Sequence, residues 1–367
     1  MRLIEKVWFF KHPAKWLLVP LLLPLTLVFW LLSALRRMCY QYYFFKSFSV
    51  DVPVVVVGNI GIGGNGKTPV VLYLIEQCLA QGMKVGVISR GYGGKAPHYP
   101  YLLNETSSAA EAGDEPFLIY KRHGIPVVVG GDRVLNAQLL MKQGCEIIIA
   151  DDGLQHYRLE RDFEIIVIDN KRKFGNGFLL PAGPLREGLW RLKTVDALIF
   201  NGESTSKSKE NYHSDVPHVS MKLMATSVVN IKTNQSMLLA DFHLLCNENA
   251  NEDGNRNNHI NALAGIGDPS RFFKTLSDVG FNIGESVSFV DHQHYNEAQF
   301  VRFSDNIPLL MTEKDAVKCT SFAKGNWWYL PVDAQIEKKQ ITPFLDGLFD
   351  QVKANKLSRI KARLKPD

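Results

Sequence analysis

Short apolar segments alternate with longer amphipathic segments along much of the chain. Strands are predicted at 52–57, 83–89, 125–129, 145–150, 163–169 and 195–200, and helices at about 66–81, 114–123 and 132–143. The strand segments are rich in Val and Ile and contain few polar residues, which is typical of strands buried on both faces. Their alternation with helices predicts an α/β fold with a parallel sheet that helices cover on both faces.

The pattern changes beyond residue 205 and predicts a second, smaller α/β lobe. Residues 220–233 alternate between apolar and polar positions, as in a β-ribbon, and an Asn-rich stretch at 246–259 indicates an exposed insertion. Two facing lobes would enclose a cleft, where a ligand usually binds. The expected division is an N-terminal anchor at 1–48, a core lobe at 49–215, a β-ribbon linker at 216–235, the second lobe at 236–350 and a basic tail at 351–367.

Residues 16–35 form the most apolar segment, with twenty positions and no charge. A helix needs this length to cross a hydrocarbon layer of about 30 Å. Pro20 and Pro24 would kink such a helix, so a span and a re-entrant or interfacial hairpin both remain open. Residues 40–48 then place aromatic side chains beside a cation, as is typical of the lipid headgroup layer. A buried core helix would leave this flank unexplained, so we expect a membrane anchor.

Positive charge is concentrated at the two ends of the chain. Residues 1–50 carry seven Lys and Arg against one acid, Glu5, so the rest of the chain is nearly neutral although the overall charge is +5. A second basic cluster lies at 353–365. This distribution argues against a nucleic-acid-binding body and is typical of a protein at an anionic lipid surface. The five cysteines are scattered, which suits a reducing cytosol.

The segment GIGGNGKT at 61–68 matches the phosphate-binding loop pattern G-x-x-x-x-G-K-[ST] in full. Its glycines allow backbone N–H groups to surround phosphate oxygens, while Lys67 reaches the β- and γ-phosphates and the Thr68 hydroxyl ligates Mg²⁺. The predicted nucleotide-binding residues are Gly61, Ile62, Gly63, Gly64, Asn65, Gly66, Lys67 and Thr68. The core lobe is therefore predicted to be P-loop NTPase-like, and the lack of an N-K-x-D guanine motif in the sequence favours ATP.

Two adjacent carboxylates, Asp151 and Asp152, follow the predicted strand at 145–150. Carboxylates this close together are costly unless a cation lies nearby. In P-loop enzymes an acidic group at the end of another parallel strand handles the magnesium ion. We therefore predict that both belong to the metal side of the site, with a purely structural Asp-Asp-Gly turn as the alternative.

Further polar clusters follow other predicted strands. They lie in SRGYGG at 89–94, GDEP at 113–116, GGDR at 130–133, LLPAGPLREG at 179–188 and DHQHY at 291–295. Because the carboxyl ends of parallel strands lie on one side of a sheet, these clusters can converge near the γ-phosphate. Each cluster taken alone is also compatible with a helix cap, a surface ion pair or a buried histidine.

The order of the motifs resembles one known family. The motifs are GNIGIGGNGKTP, SRGYGG, GDEP, IIIADDGLQH, LLPAGPLREG, GIGDPSRFF, FVDHQHY and TEKDAVK. With them the chain resembles the tetraacyldisaccharide 4'-kinases, the lipid A 4'-kinases of Gram-negative bacteria, from the anchor to about residue 335. The resemblance implies transfer of the ATP γ-phosphate to the 4'-hydroxyl of an acylated glucosamine disaccharide 1-phosphate, forming the bis-phosphorylated lipid A precursor of lipopolysaccharide. It also implies location at the bacterial inner membrane, with the lobes facing the cytoplasm.

The resemblance implies roles for individual residues as well. Asp114 would be the catalytic base and His292 its support, with His294 as a second candidate for that partner. Lys67 and Mg²⁺ would neutralise charge on the transferred phosphoryl group. The metal-side candidates are Thr68, Asp151, Asp152 and Glu115. The residues expected to line the sugar-phosphate site are Arg90, Tyr92, Arg133, Arg186 and Glu187.

Two other functions stand beside the lipid-sugar kinase. The first is a membrane-anchored P-loop NTPase that acts as a switch or assembly factor and releases free phosphate. The second is a membrane adaptor with a vestigial nucleotide site, against which the intact Lys67–Thr68 pair argues. The clusters that contain Asp114 and His292 favour the kinase, because a switch that activates water does not need them. No nucleic acid and no obligate protein partner are indicated by the sequence.

Overall fold

The computed structural model of the chain describes residues 3–202, 216–248 and 258–363. Two N-terminal helices, α1 (Leu3–Phe9) and α2 (Lys15–Gln41), precede the core lobe. The core lobe then contains β1 (Val54–Gly58), α3 (Lys67–Ala80), β2 (Val85–Ser89), β3 (Tyr101–Leu102), α4 (Ala109–Ala112), α5 (Asp114–His123), β4 (Val127–Val129), α6 (Arg133–Lys142), β5 (Ile147–Asp151), β6 (Phe163–Asp169), a 3₁₀ turn (Leu189–Lys193) and β7 (Ala197–Asn201).

The remaining elements form the second lobe and the return to the first. They are β8 (His218–Met224), β9 (Ser227–Asn230), β10 (Ser236–Leu238), α7 (Leu239–Glu248), β11 (His259–Ala264), α8 (Pro269–Asp278), β12 (Asn282–Ser288), a 3₁₀ turn (Glu297–Phe300), β13 (Leu309–Thr312), α9 (Glu313–Cys319), β14 (Trp327–Leu330), β15 (Asp333–Ile336) and α10 (Lys338–Arg363).

The first sheet has nine strands in the order β15-β8-β7-β6-β1-β5-β2-β4-β3. β1 lies at its centre between β5 and β6, parallel to both, and only the edge strands β3 and β15 pair antiparallel. Successive side chains of a strand point to opposite faces, so Val55 and Val57 pack in the core under α3, and Val54 and Val56 pack in the core under α6. The predicted α/β fold with a parallel sheet covered on both faces is confirmed.

The second lobe is built on a six-stranded sheet in the order β10-β9-β14-β13-β11-β12. Phe242 and Leu276 from α7 and α8 fill the core on one face, and Phe300 and Trp327 belong to the core on the other. Between β12 and β13 the chain forms a short 3₁₀ turn at 297–300. Phe300 stacks on Trp327 with 4.7 Å between ring centroids, and this packing draws the segment into the core after a single turn.

The segment predicted as a β-ribbon at 220–233 is divided between the two sheets. β8 pairs with β7 and β15 in the first sheet, whereas β9 pairs with β10 and β14 in the second. The chain returns from β14 to β15 in the same way, so two short connections join the lobes. Two strands in separate sheets alternate with the same period of two as a ribbon, and the pattern does not distinguish them.

The end of the chain packs on the core lobe. β15 pairs with β8, and Leu345, Leu348 and Val352 of α10 are buried under the first sheet, although the second lobe was expected to continue to residue 350. The predicted basic tail at 351–367 therefore begins inside α10. Residues 364–367 lie outside the described residues, and so does most of the Asn-rich stretch.

α2 is the one helix in the described part of the chain that is long and apolar enough to cross a membrane. It continues through Pro20 and Pro24 without a break. Its Thr26 hydroxyl accepts the Ala182 N–H at 3.0 Å, and the Trp8 indole of α1 donates to the Pro181 carbonyl at 3.1 Å. Both N-terminal helices therefore dock on the LLPAGPLREG segment, while most of α2 remains exposed. The helix therefore presents a large apolar surface that the rest of the described chain does not cover.

Candidate active site

The phosphate-binding loop lies between β1 and α3, at the centre of the first sheet. Gly66 precedes α3 with φ +89°, and a Cβ atom there would stand 2.5 Å from Nδ2 of Asn201, so only glycine fits. Asn201, at the end of β7, donates from that nitrogen to the Asn65 carbonyl at 3.1 Å. On the other side the Ile62 N–H donates to the Pro184 carbonyl at 2.9 Å. The loop backbone is thus held from two neighbouring segments.

Lys67 opens α3 and points to the strand that carries the adjacent carboxylates. Its Nζ lies 3.1 Å from Oδ1 of Asp152 and 3.3 Å from Oδ1 of Asn59. Oδ2 of Asp152 in turn accepts from Arg186 at 3.0 Å. Burial alone would raise the pKa of Asp152, but Lys67 and Arg186 together lower it below its usual range. Asp152 also has a φ of +50°, a costly conformation outside glycine that is typical of functional sites.

Asp151, the last residue of β5, is 1% exposed. Burial raises its pKa to about 7, and the negative charge of Glu115 adds to this effect. Its backbone carbonyl accepts from Arg133 at 3.1 Å. Oδ1 of Asp151 and Nη1 of Arg133 are buried without a hydrogen-bond partner in the described part of the chain. Burial lowers the pKa of Arg133 to about 10.

The unpartnered carboxylate oxygen of Asp151 bears on whether this part of the site could hold a magnesium ion. An ionised carboxylate that is buried and lacks a donor favours a cation beside it. No group of three His, Cys, Asp or Glu side chains that could hold a metal occurs in the described residues. Magnesium at a nucleotide does not need one, because one or two carboxylates, water and the phosphates usually suffice. Asp151 and Asp152 beside the loop that carries Thr68 therefore fit Mg²⁺ bound with a nucleotide.

Asp114 begins α5 and forms a second polar cluster with the lobe opposite. Gly113 before it has φ +88°, and a Cβ atom would stand 2.7 Å from the Tyr92 carbonyl, so glycine allows the GDEP and SRGYGG segments to touch. Oδ2 of Asp114 lies 3.1 Å from Nδ1 of His292, and this hydrogen bond raises the pKa of His292. His294 is exposed, so His292 is the partner.

Two lysines of α9, neither of which the sequence pattern had marked as a site residue, complete the cluster around Asp114 and Glu115. Lys314 forms an ion pair with Glu115, and its charge lowers the pKa of Glu115. Nζ of Lys318 lies 3.3 Å from Oδ2 of Asp114. Both lysines belong to the TEKDAVK motif, which the sequence shows. Their contacts with the GDEP segment could not be predicted, because the two motifs lie far apart in the chain.

The LLPAGPLREG segment forms a third wall beside the phosphate-binding loop. The Arg186 N–H donates to the Ile60 carbonyl at 2.6 Å, which places this segment against the start of the loop. Glu187 is 8% exposed, and its carboxylate accepts from Tyr157 at 2.5 Å and from Arg191 at 3.1 Å. Arg186 is therefore open to the site, while both oxygens of Glu187 are engaged by neighbours.

One cavity of ≈ 910 Å³ connects these clusters. Its wall includes twelve of the predicted site residues, namely Gly63, Gly64, Lys67, Arg90, Tyr92, Glu115, Arg133, Asp151, Asp152, Arg186, Glu187 and His292. Asp114 does not line the cavity, but its sequence neighbour Glu115 and its hydrogen-bond partner His292 do. The other predicted residues that do not line it are Gly61, Ile62, Asn65, Gly66 and Thr68. Phe29, Trp30, Ser33 and Arg37 of α2 line the cavity as well, so this apolar helix forms part of it.

A phosphate-binding loop, paired carboxylates and a separate acid–histidine pair around one cavity define a P-loop phosphotransferase. The sequence model of the tetraacyldisaccharide-1-P 4'-kinase family matches residues 18–350. The tetraacyldisaccharide 4'-kinase of Colwellia psychrerythraea is 58% identical over 334 residues, which cover 91% of this chain and 93% of the relative. The tetraacyldisaccharide 4'-kinase of Histophilus somni is 45% identical over 350 residues, 95% of this chain and 99% of the relative.

A solved structure of a protein from this family has a similar fold. The LpxK protein of Aquifex aeolicus, crystallised as an "apo" form in complex with ATP, has a TM-score of 0.74 and 28% identity to this chain. The match covers 91% of this chain and 99% of that one. The chain belongs to the tetraacyldisaccharide 4'-kinase family. It is an ATP- and Mg²⁺-dependent kinase that phosphorylates the 4'-hydroxyl of a tetraacylated disaccharide 1-phosphate in lipid A synthesis.

Proposed function

We propose that the cavity is where the γ-phosphate is transferred, with Lys67 on the nucleotide side and Asp114 on the acceptor side. The observation that carries this proposal is that Lys67 and Asp152 line the same cavity as His292, whose Nδ1 lies 3.1 Å from Oδ2 of Asp114. A nucleotide held by the loop and a sugar hydroxyl beside Asp114 would then lie within one enclosed space, as in-line transfer requires.

In the proposed reaction the carboxylate of Asp114 accepts the proton of the 4'-hydroxyl as its oxygen attacks the γ-phosphorus. The new bond joins the sugar oxygen to phosphorus, the bond to the β,γ-bridging oxygen breaks, and ADP leaves. His292 orients Asp114 through the 3.1 Å contact. Lys67 neutralises charge on the transferred group from a fixed position.

Bound Mg²⁺ would supply further neutralisation of the phosphate oxygens. Thr68, Asp151 and Asp152 are the residues that would hold it. Glu115 stays a candidate, but its ion pair with Lys314 competes for the same carboxylate.

The sugar-phosphate substrate would lie against the arginines of the cavity wall. The planar guanidinium groups of Arg90, Arg133 and Arg186 can each bond two phosphate oxygens, which a lysine cannot do. Tyr92, which is 70% exposed, offers a ring and a hydroxyl to the sugar. Glu187 would act indirectly, because Tyr157 and Arg191 engage its carboxylate.

We further propose that the protein works at the inner-membrane surface with both lobes in the cytoplasm. α2 presents large apolar side chains at helical spacing away from the body, namely Leu17, Leu21, Leu25, Val28, Leu32 and Leu35. This exposed stripe would lie in lipid, where water does not solvate it. The opposite face of α2 lines the cavity, so a lipid substrate could reach the site without leaving the bilayer.

The catalytic proposal is tested by transfer of labelled γ-phosphate from ATP to the acylated disaccharide 1-phosphate in mixed micelles. Asp114→Asn should bind ATP normally and lower turnover by about 10²–10⁴, the usual contribution of a general base. The matched control is Asp305→Asn, since Asp305 is a 70% exposed carboxylate of the second lobe. Weakened ATP binding with turnover intact would contradict the role of base, and label released only as free phosphate would contradict the site of transfer.

The membrane proposal is tested by two changes on opposite faces of α2. Replacing Leu21 and Leu25 with Lys should impair vesicle binding and activity on bilayer substrate, and spare activity on detergent-dispersed substrate. Thr26→Val should lower activity on both, because the Ala182 N–H loses its acceptor and the helix undocks from the cavity. Equal activity of the Leu21/Leu25 variant in bilayers would contradict the proposed depth of the helix.

A further inference from the structure

Lys318 stands in the last turn of α9, in the lobe opposite Asp114. Its side chain is only 7% exposed, and its Nζ lies 3.3 Å from Oδ2 of Asp114 and 3.5 Å from Oδ1 of Asp315. The same ammonium group lies 4.9 Å from the centroid of the Tyr295 ring. A lysine that is nearly buried between two carboxylates and an aromatic face has little freedom to move away.

Asp315 fixes the lysine in this position. It is fully buried, and its carboxylate accepts from the Gly265 N–H at 2.9 Å, from the Thr312 hydroxyl at 2.6 Å and from the Tyr295 hydroxyl at 2.7 Å. A carboxylate with three such donors is held rigidly, because losing any of them would leave a buried donor unpaired. Lys318, one turn further along α9, therefore receives a fixed counter-charge on the side away from Asp114.

The contacts of Asp114 all fall on one of its two oxygens. Nδ1 of His292 and Nζ of Lys318 lie 3.1 and 3.3 Å from Oδ2. In the described part of the chain, every hydrogen bond and ion pair of this side chain uses that oxygen. Two donors on one oxygen fix the plane of the carboxylate and direct Oδ1 elsewhere.

We propose that Lys318 is a positioning residue of the phosphoryl transfer, which holds Oδ2 of Asp114 together with His292 so that Oδ1 accepts the proton of the acceptor hydroxyl. The inference rests on the proposed role of Asp114 as the base. Because Lys318 belongs to the second lobe and Asp114 to the core lobe, the base is oriented only while α9 packs on α5.

The first test replaces Lys318 by neutral side chains of similar length, in Lys318→Met and Lys318→Gln. Both should lower kcat for the lipid substrate by about 10- to 100-fold, a part of what a positioned base contributes, and leave the Kd for ATP unchanged. Lys318→Arg should recover part of the loss because it restores the charge. Lys324→Met is the matched control, since Lys324 is a surface lysine of the same lobe that pairs with exposed Asp305. A normal kcat in both neutral variants would overturn the proposal.

The second test asks whether Lys318 acts through Asp114. In the Asp114→Asn background, Lys318→Met should cause no further loss of kcat, because the group that it positions is already gone. If Lys318→Met lowered kcat as much in the Asp114→Asn background as in the unmodified enzyme, Lys318 would act independently of Asp114, and the proposal would be overturned. So would a failure of both neutral variants to fold, judged by thermal unfolding, since Lys318 would then be a structural residue. An Asp114→Asn enzyme with full activity would instead contradict the proposed base, which separates the two failures.

Discussion

The two edges of the cavity are built in different ways. At the phosphate edge, residues 61–68 follow one another in the chain, and the loop backbone is held by the side-chain amide of Asn201 and the backbone carbonyl of Pro184. At the base edge, Asp114 and His292 meet across 178 residues, and α9 of the second lobe completes the cluster. The phosphate edge is therefore a local structure on a single sheet, whereas the base edge forms only where the two lobes are in contact.

This difference has a consequence for how each edge responds to change. The phosphate edge depends on backbone conformation, so it should be sensitive to a methyl group in the loop and insensitive to the second lobe. The base edge depends on charged contacts between side chains of two lobes, and solvent weakens the contribution of His292, which is 31% exposed, to stability. We expect large effects from changes at the first edge, and smaller, pH-dependent effects on stability at the second.

Among changes at the phosphate edge, the largest effect is expected from Lys67→Ala. The variant should lose at least about 10² in phosphate transfer, because a fixed cation at the developing charge is removed. Transfer of labelled γ-phosphate measures the loss, and Lys142→Ala, an exposed lysine at the end of α6, is the control. Near-normal transfer by Lys67→Ala would mean that the loop does not hold the reacting phosphate.

A comparison of two glycines tests the backbone argument. Gly66→Ala should lower the free energy of unfolding by about 2 kcal/mol, because φ +89° is unfavourable for alanine and its Cβ would press on Asn201. Gly64→Ala should change it by less than about 0.5 kcal/mol, since a Cβ atom there meets nothing within 4 Å. Urea unfolding of the nucleotide-free protein measures both. Equal effects at the two positions would show that the loop is not held as described.

The smallest effect concerns the contribution of His292 to stability. Its folded-state pKa is raised by the hydrogen bond to Asp114, so the charged form stabilises the fold below about pH 6.5, and this contribution is lost as pH rises through the raised value. His292→Asn should therefore cost less than about 1 kcal/mol at pH 6 and nothing at pH 9.

The control for that measurement is His294→Asn, because His294 is exposed and lies two residues away on the same loop. Thermal unfolding of both variants across this pH range gives the comparison. A loss that stays constant with pH would assign His292 a packing role rather than an ionic one.

The elements of the core lobe could be predicted because their signals are local. The strands around β1 are continuous runs of Val and Ile, and the phosphate-binding loop has a spacing that few other structures use. The pairing of β8 with β15 and the return of α10 to the first sheet could not be predicted, because a strand with period two carries no sign of which sheet it joins. The sequence named His292 as the partner of Asp114 and left His294 as a second candidate, and the fold decided between them by exposing His294.

By itself, the sequence determined the α/β class, the nucleotide-binding loop, the apolar N-terminal helix and the family of kinases to which the chain belongs. These follow from residues close together in the chain, whose spacing alone dictates local backbone geometry. Only the tertiary structure decided that α2 lines the cavity, that His292 faces Asp114, and that Lys314 and Lys318 reach the core lobe from α9. Such contacts depend on how two sheets are connected and packed, and no local pattern of residues encodes that arrangement.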